Sequence, residues 1–167
     1  MTYLEIDKAI VDITRQKCTE CKARLDAIPK ENATERKAVQ LECGIYSFCG
    51  SAGLMFNGGD RERVLQGRRR FFESVLSAYP RLNEVYQAAE EEEKHCLIAA
   101  LQGEIFIRDQ WLKAQLAEQV TAEASGDTKS VFELTIKIGA AQNMLAAWEA
   151  WRVENNVYPH MLEEEKV

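Results

Sequence analysis

Four cysteines stand in the first third of the chain, Cys18, Cys21, Cys43 and Cys49, the number that a tetrahedral zinc site needs. Their spacing fits that chemistry poorly. Zinc ligands commonly come as two close pairs on tight turns. Here Cys18-Thr19-Glu20-Cys21 is flanked by Gln16-Lys17 and Lys22-Ala23, with no glycine or proline to turn the chain, and Cys43 to Cys49 is wider than a knuckle uses. Both Cys18 and Cys21 fall on an apolar helical stripe, so buried thiols are the leading expectation and zinc the weaker one. A hairpin folded near residue 30 would set Cys18 roughly opposite Cys43. A redox centre would want its first cysteine at a helix N-terminus, where the dipole lowers the thiol pKa; Cys18 is expected deep inside its helix.

Carboxylate chemistry is also incomplete. Glu92 and His95 make one Glu-x-x-His step, whereas a di-iron bundle needs two such steps and two further glutamates. The other histidine, His160, has no glutamate three residues before it. Glu90 and Glu93 could be half of a magnesium site in a helical pyrophosphatase, but the second carboxylate pair is missing: Glu104 is followed three residues on by Ile107, and Asp109 is off the required face. The run Glu90, Glu91, Glu92 and Glu93 therefore reads as a solvated acidic face near a helix start, and as a candidate surface for a basic partner. No glycine-rich loop precedes a Lys-Ser/Thr pair. The expectation is no catalysis, no cofactor and no metal; an enzyme whose pocket carries no motif is a third alternative.

Arg61, Arg63, Arg68, Arg69 and Arg70 form the one basic cluster, followed by Phe71 and Phe72. Nucleic acid would require these arginines on one face, but helical spacing spreads them around the axis. They carry the runner-up reading, a nucleic-acid-associated regulator.

The elements that position these residues read as helices throughout. Thr2 with Glu5 is a capping-box pattern, and Tyr3, Ile6, Ile10, Thr14, Cys18, Cys21, Leu25 and Ile28 recur at steps of three or four until Pro29. Asn32 and Glu35 start a second helix through Ala52. Asn57-Gly58-Gly59 closes that segment, and Asp60 caps a third carrying Val64, Leu65, Phe71, Phe72, Val75 and Leu76. Pro80 interrupts it. A short helix to about Glu90 and a long one to about Ala124 follow, with Leu97, Leu101, Ile105, Leu112 and Leu116 on one face. Ser125-Gly126-Asp127 is a turn, and Asp127 or Ser130 caps the last helix. That helix has two apolar stripes. Val131, Leu134, Ile138, Ala141, Leu145 and Trp148 make one; Ile136, Ala140, Met144, Ala147 and Trp151 make the other. The arc is wider than one neighbour covers, so the helix is either central or turned towards another chain. Met144, Trp148 and Trp151 are the candidate partner anchors. The tail from about residue 156 is expected to fray.

Composition bounds the class. The chain has 167 residues, 46% hydrophobic and 29% charged, with a formal net charge of -6 and three prolines. That is enough for one core in a single domain. The longest apolar run, Cys96 to Leu101, is far short of the roughly 20 residues of a membrane span. Five cysteines and an acidic N-terminus without an apolar signal core suggest the cytoplasm. Residues 1–80 hold 13 basic and 11 acidic side chains and residues 81–167 hold 8 and 16, so the acidic half either packs on the basic half or steers a partner. The expectation is an all-α, single-domain bundle of five or six helices. It would bind another macromolecule as an adaptor, regulatory subunit or inhibitor, a profile common among bacteriophage inhibitors, with a second copy of the chain as the other occupant of the last helix.

Overall fold

The computed structural model describes residues 1–53 and 61–163, the side chains of residues 51–53 and 61 excepted. The expected Asn57-Gly58-Gly59 turn and Asp60 cap lie outside the described residues. The fold is all-α, a bundle of packed helices. Helix α1 (Tyr3–Ala27) begins on the predicted capping box: the Thr2 amide donates to the Glu5 carboxylate at 2.7 Å, and the Glu5 amide to the Thr2 hydroxyl at 3.3 Å. It ends because Ile28, preceding Pro29, is held extended at φ -82°, ψ 127°. Helix α2 (Ala33–Gly53) runs back along α1. Arg36 closes the corner by donating to the carbonyls of Leu25 (3.1 Å) and Ile28 (2.7 Å), which the end of α1 leaves without helical partners.

Helix α3 (Arg61–Val75) leads through a tight 3-10 turn into α4 (Pro80–Ala88), with Pro80 in the first helical turn, where its missing N–H costs nothing. Residues 81–124 divide at Ala89–Glu90. From there α5 (Glu91–Phe106) continues through a π-helical segment, Ile107–Leu112, into α6 (Lys113–Ser125), one unbroken rod. Gly126 then takes φ +72°, a conformation only glycine adopts cheaply. Of the two expected caps it is Asp127 that serves, accepting from the Ser130 amide at 3.1 Å and opening α7 (Thr128–Glu154).

Two helices are central. Helix α5 is buried almost all round from Cys96 to Gln102 and contacts α1, α2, α3, α4 and α7. Helix α7 contacts α1, α2, α5 and α6, which covers most of its wide apolar arc. Leu134 and Ile138 meet Ala122 of α6, while Ala140, Ala141, Met144, Leu145 and Trp148 pack with Cys21, Val39, Ile45, Tyr46 and Cys49. The single face expected along the rod does not persist. Leu97, Leu101 and Ile105 are fully buried, Leu112 is half-buried and Leu116 is 40% exposed, because the wider π turns rotate α6 relative to α5.

The tail also departs from expectation. Residues 155–163 fold back on the bundle rather than fray: Val157 and Leu162 are buried in the α5 core. Arg152 donates to the Tyr158 carbonyl at 2.8 Å, and the Tyr158 hydroxyl donates to Glu93. Among the described residues no helix is long and apolar enough to cross a membrane.

Candidate functional site

Between α1, α2, α5 and α7 lies a cavity of about 260 Å³. It exists because the residues facing it are small: Gly50 of α2, and Ala99, Ala100 and Gly103 of α5. At Gly50, α2 approaches α1 so closely that a Cβ would stand 3.1 Å from Thr14 Cγ2. The Thr14 hydroxyl donates to the Ile10 carbonyl at 2.9 Å and accepts the Trp148 indole N–H at 3.0 Å, which fixes the ring at the cavity wall. Ile10 and Val11 give the opposite side its apolar surface.

The polar edge of the cavity comes from Asp7, Gln102 and Glu104. Asp7 accepts from the buried Arg68 at 2.8 Å. Glu104, 1% exposed, accepts from Arg152 at 2.6 Å, a guanidinium as buried as itself, and from Arg108 at 3.1 Å. Burial pushes the Glu104 carboxyl above the usual carboxylate range, against the pull of Arg152 and Arg108. The metal-site spacings weighed in the sequence set Glu104 aside. One signal was available: a charged residue close behind the apolar run Cys96–Leu101 and just before Ile105 needs a partner if it is buried.

The four cysteines lie along the α1–α2 contact as two pairs. Cys21 lies beside Cys43, Cys49 lies near Cys18, and the Cys21 thiol donates to the Val39 carbonyl at 3.7 Å. The expected facing of Cys18 and Cys43 shifts because α2 starts only at Ala33, which moves the corner towards residue 32. Burial, then the neighbouring thiol, pushes Cys21 up to about 12, and burial pushes Cys49 up to about 12, the reverse of an activated thiol. Among the described residues no three of these sulfurs converge. The ligand atoms that do are those of Glu149, His160 and Glu163, within 4.8 Å of one another and at least half-exposed in the case of His160 and Glu163. His95 sits against Tyr3, ring centroids 5.4 Å apart.

The acidic run occupies the first turn of α5 and is partly engaged. Glu91 pairs with Arg69 at 2.6 Å and Glu93 accepts from Tyr158, while Glu90 and Glu92 are exposed. The basic segment is dispersed around α3. Arg68 is buried on Asp7, and Arg69 bridges Glu73 and Glu91, which leaves Arg63 and Arg70 facing solvent; the Arg61 side chain lies outside the described residues. Met144 and Trp148, expected as partner anchors, are buried at 0% and 2% exposure, and Trp151 is half-buried against the α5 core. These three side chains fill the interior because α7 is central.

Exposed aliphatic surface lies elsewhere. On α6, Leu116 is 40% and Val120 65% exposed, one turn apart, and Phe132 near the start of α7 is 39% exposed. Helix α6 packs on α7 and on the π segment that precedes it, and Ala122 is its one buried residue. Comparison with protein-family models, curated proteins and solved structures gives no match.

Proposed function

We propose that this chain is a binding protein without chemistry of its own, and that it seats a protein partner on the outer side of α6. The observation that carries the reading is the pair Leu116 and Val120, aliphatic side chains at adjacent-turn spacing on an edge helix. In helix-in-groove recognition a helix lays apolar side chains spaced by one turn into a partner's groove, and Leu116 and Val120 have that spacing. The exposed Glu90 and Glu92 belong to a different surface. At 1.5 Å per residue they stand about 40 Å along the rod from Val120, further than one standard interface patch extends.

The test is capture of partners by the tagged chain with and without nuclease treatment, in parallel with Leu116→Ser/Val120→Ser and with Arg63→Ala/Arg70→Ala. A partner held by wild type and by the arginine variant, and bound about thirtyfold or more weakly by the α6 variant, supports the reading, since two such anchors together contribute about 2 kcal/mol or more. Binding that survives the α6 substitutions removes it. Binding abolished by nuclease or by the arginine variant puts the nucleic-acid reading first.

A further inference from the structure

The fold-back of residues 155–163 gathers a side-chain cluster that a docking role for α6 does not use. Glu149 of α7, His160 and Glu163 each place a ligand atom within 4.8 Å of the other two. His160 has no glutamate three residues before it but one three residues after, and that carboxylate meets the ring Nδ1 at 2.6 Å. Glu149 joins them only because the tail returns to the end of α7.

The cluster is both anchored and accessible. Val157 and Leu162, on either side of His160, are buried in the α5 core, and Arg152 holds the Tyr158 carbonyl at 2.8 Å. The backbone that carries His160 and Glu163 is therefore fixed without an ion, so binding one requires little further ordering. The side chains themselves reach solvent: Glu149 is 32%, His160 51% and Glu163 61% exposed. Arg108 faces the cluster, but it approaches Glu149 only at 3.9 Å while it holds Glu104 at 3.1 Å.

The donor set selects the ion. Carboxylates alone suit Ca²⁺ or Mg²⁺, hard ions that take oxygen ligands. An imidazole nitrogen beside two carboxylate oxygens suits zinc, whose open sites take three protein ligands and a water. With bonds of about 2.0–2.2 Å, two ligand atoms of a tetrahedral zinc stand about 3.4 Å apart. Closing this set therefore takes movements on the order of 1 Å, within reach of the exposed ends of His160 and Glu163.

We propose that Glu149, His160 and Glu163 bind one Zn²⁺ ion, which clasps the tail to the end of α7 and keeps its fourth position open to water.

The chain has two histidines, His95 and His160, so their ring signals in NMR separate this site from the thiols, with His95→Gln assigning them. Titration of the full chain with ZnCl₂ is expected to shift the His160 signals along a single-site curve and to leave those of His95, packed on Tyr3, in place. MgCl₂ at about a hundredfold higher concentration is expected to move neither. Glu149→Gln and Glu163→Gln keep side-chain shape and remove a charged ligand. Each is expected to weaken Zn²⁺ by at least the roughly tenfold that loss of an outer-shell partner costs. Glu163→Gln, at the more exposed position, carries the test should Glu149→Gln fail to fold. His160 signals that stay in place in excess ZnCl₂ overturn the proposal, even if the ion binds the cysteines. An affinity that neither glutamine variant lowers overturns it as well.

Discussion

At the scale of single residues, the molecule is organised by polar side chains buried in its apolar interior. Glu104 and Arg152, each 1% exposed, are held by each other at 2.6 Å. Replacing one partner strands a buried charge, so Arg152→Met alone is expected to cost about 3–5 kcal/mol in urea denaturation. The double variant Glu104→Leu/Arg152→Met should recover most of that loss, and equal losses for single and double variants would show that the pair is not the source. The buried thiols make a second prediction. Folding raises Cys21 and Cys49 to about 12, whereas an unfolded thiol ionises near 8.5. The folded state therefore keeps protons that the unfolded state releases. Their contribution is intact below about pH 8.5 and is lost as pH rises towards 12. Urea midpoints measured from about pH 8 to pH 11 should fall, and less steeply in Cys49→Ala; a flat profile would contradict the burial of both thiols.

At the scale of elements, the helix ends were legible in the sequence and the rotations were not. Thr2 with Glu5, Ile28 before Pro29, Pro80, and Gly126 before Asp127 each act through local backbone chemistry, so their residue types alone locate α1, α4 and α7. The π segment at Ile107–Leu112 has no such marker, since it arises from how α5 and α6 pack on different neighbours. The apolar face assigned from Leu97 to Leu116 consequently turns to solvent partway. For the same reason the cavity was invisible: Gly50 meets Ala99, Ala100 and Gly103 only when α2 and α5 come together. Glycines separate the two kinds of information in an experiment. Gly44 lies inside α2 with nothing within 4 Å of the place an added methyl would take, so Gly44→Ala should stabilise by about 0.5–1 kcal/mol. Gly50→Ala, 3.1 Å from Thr14 Cγ2, should instead lower the melting temperature; a rise at both positions would mean that α1 and α2 have slack at their contact.

At the scale of the whole molecule, the two charge halves are joined by Lys37–Glu133 at 2.7 Å and Arg69–Glu91 at 2.6 Å. Both pairs are partly exposed, and such pairs contribute little individually. The tail contributes more. Ending the chain at Asn155 removes buried Val157 and Leu162 and the Arg152 contact to Tyr158, an expected loss of about 3–5 kcal/mol measurable by chemical denaturation. Unchanged stability would show that the fold-back is dispensable. The hydrogen bond from Trp148 to Thr14 spans 134 positions and has a consequence for a chain made from one end. At roughly 5–20 residues per second, on the order of ten seconds separates the synthesis of Thr14 from that of Trp148. Once α2 is complete at Gly53, the α1–α2 hairpin waits for the rest of that interval without the helix that covers Cys21, Val39 and Tyr46. The nascent hairpin therefore presents that apolar surface to solvent until the arrival of α7 covers it.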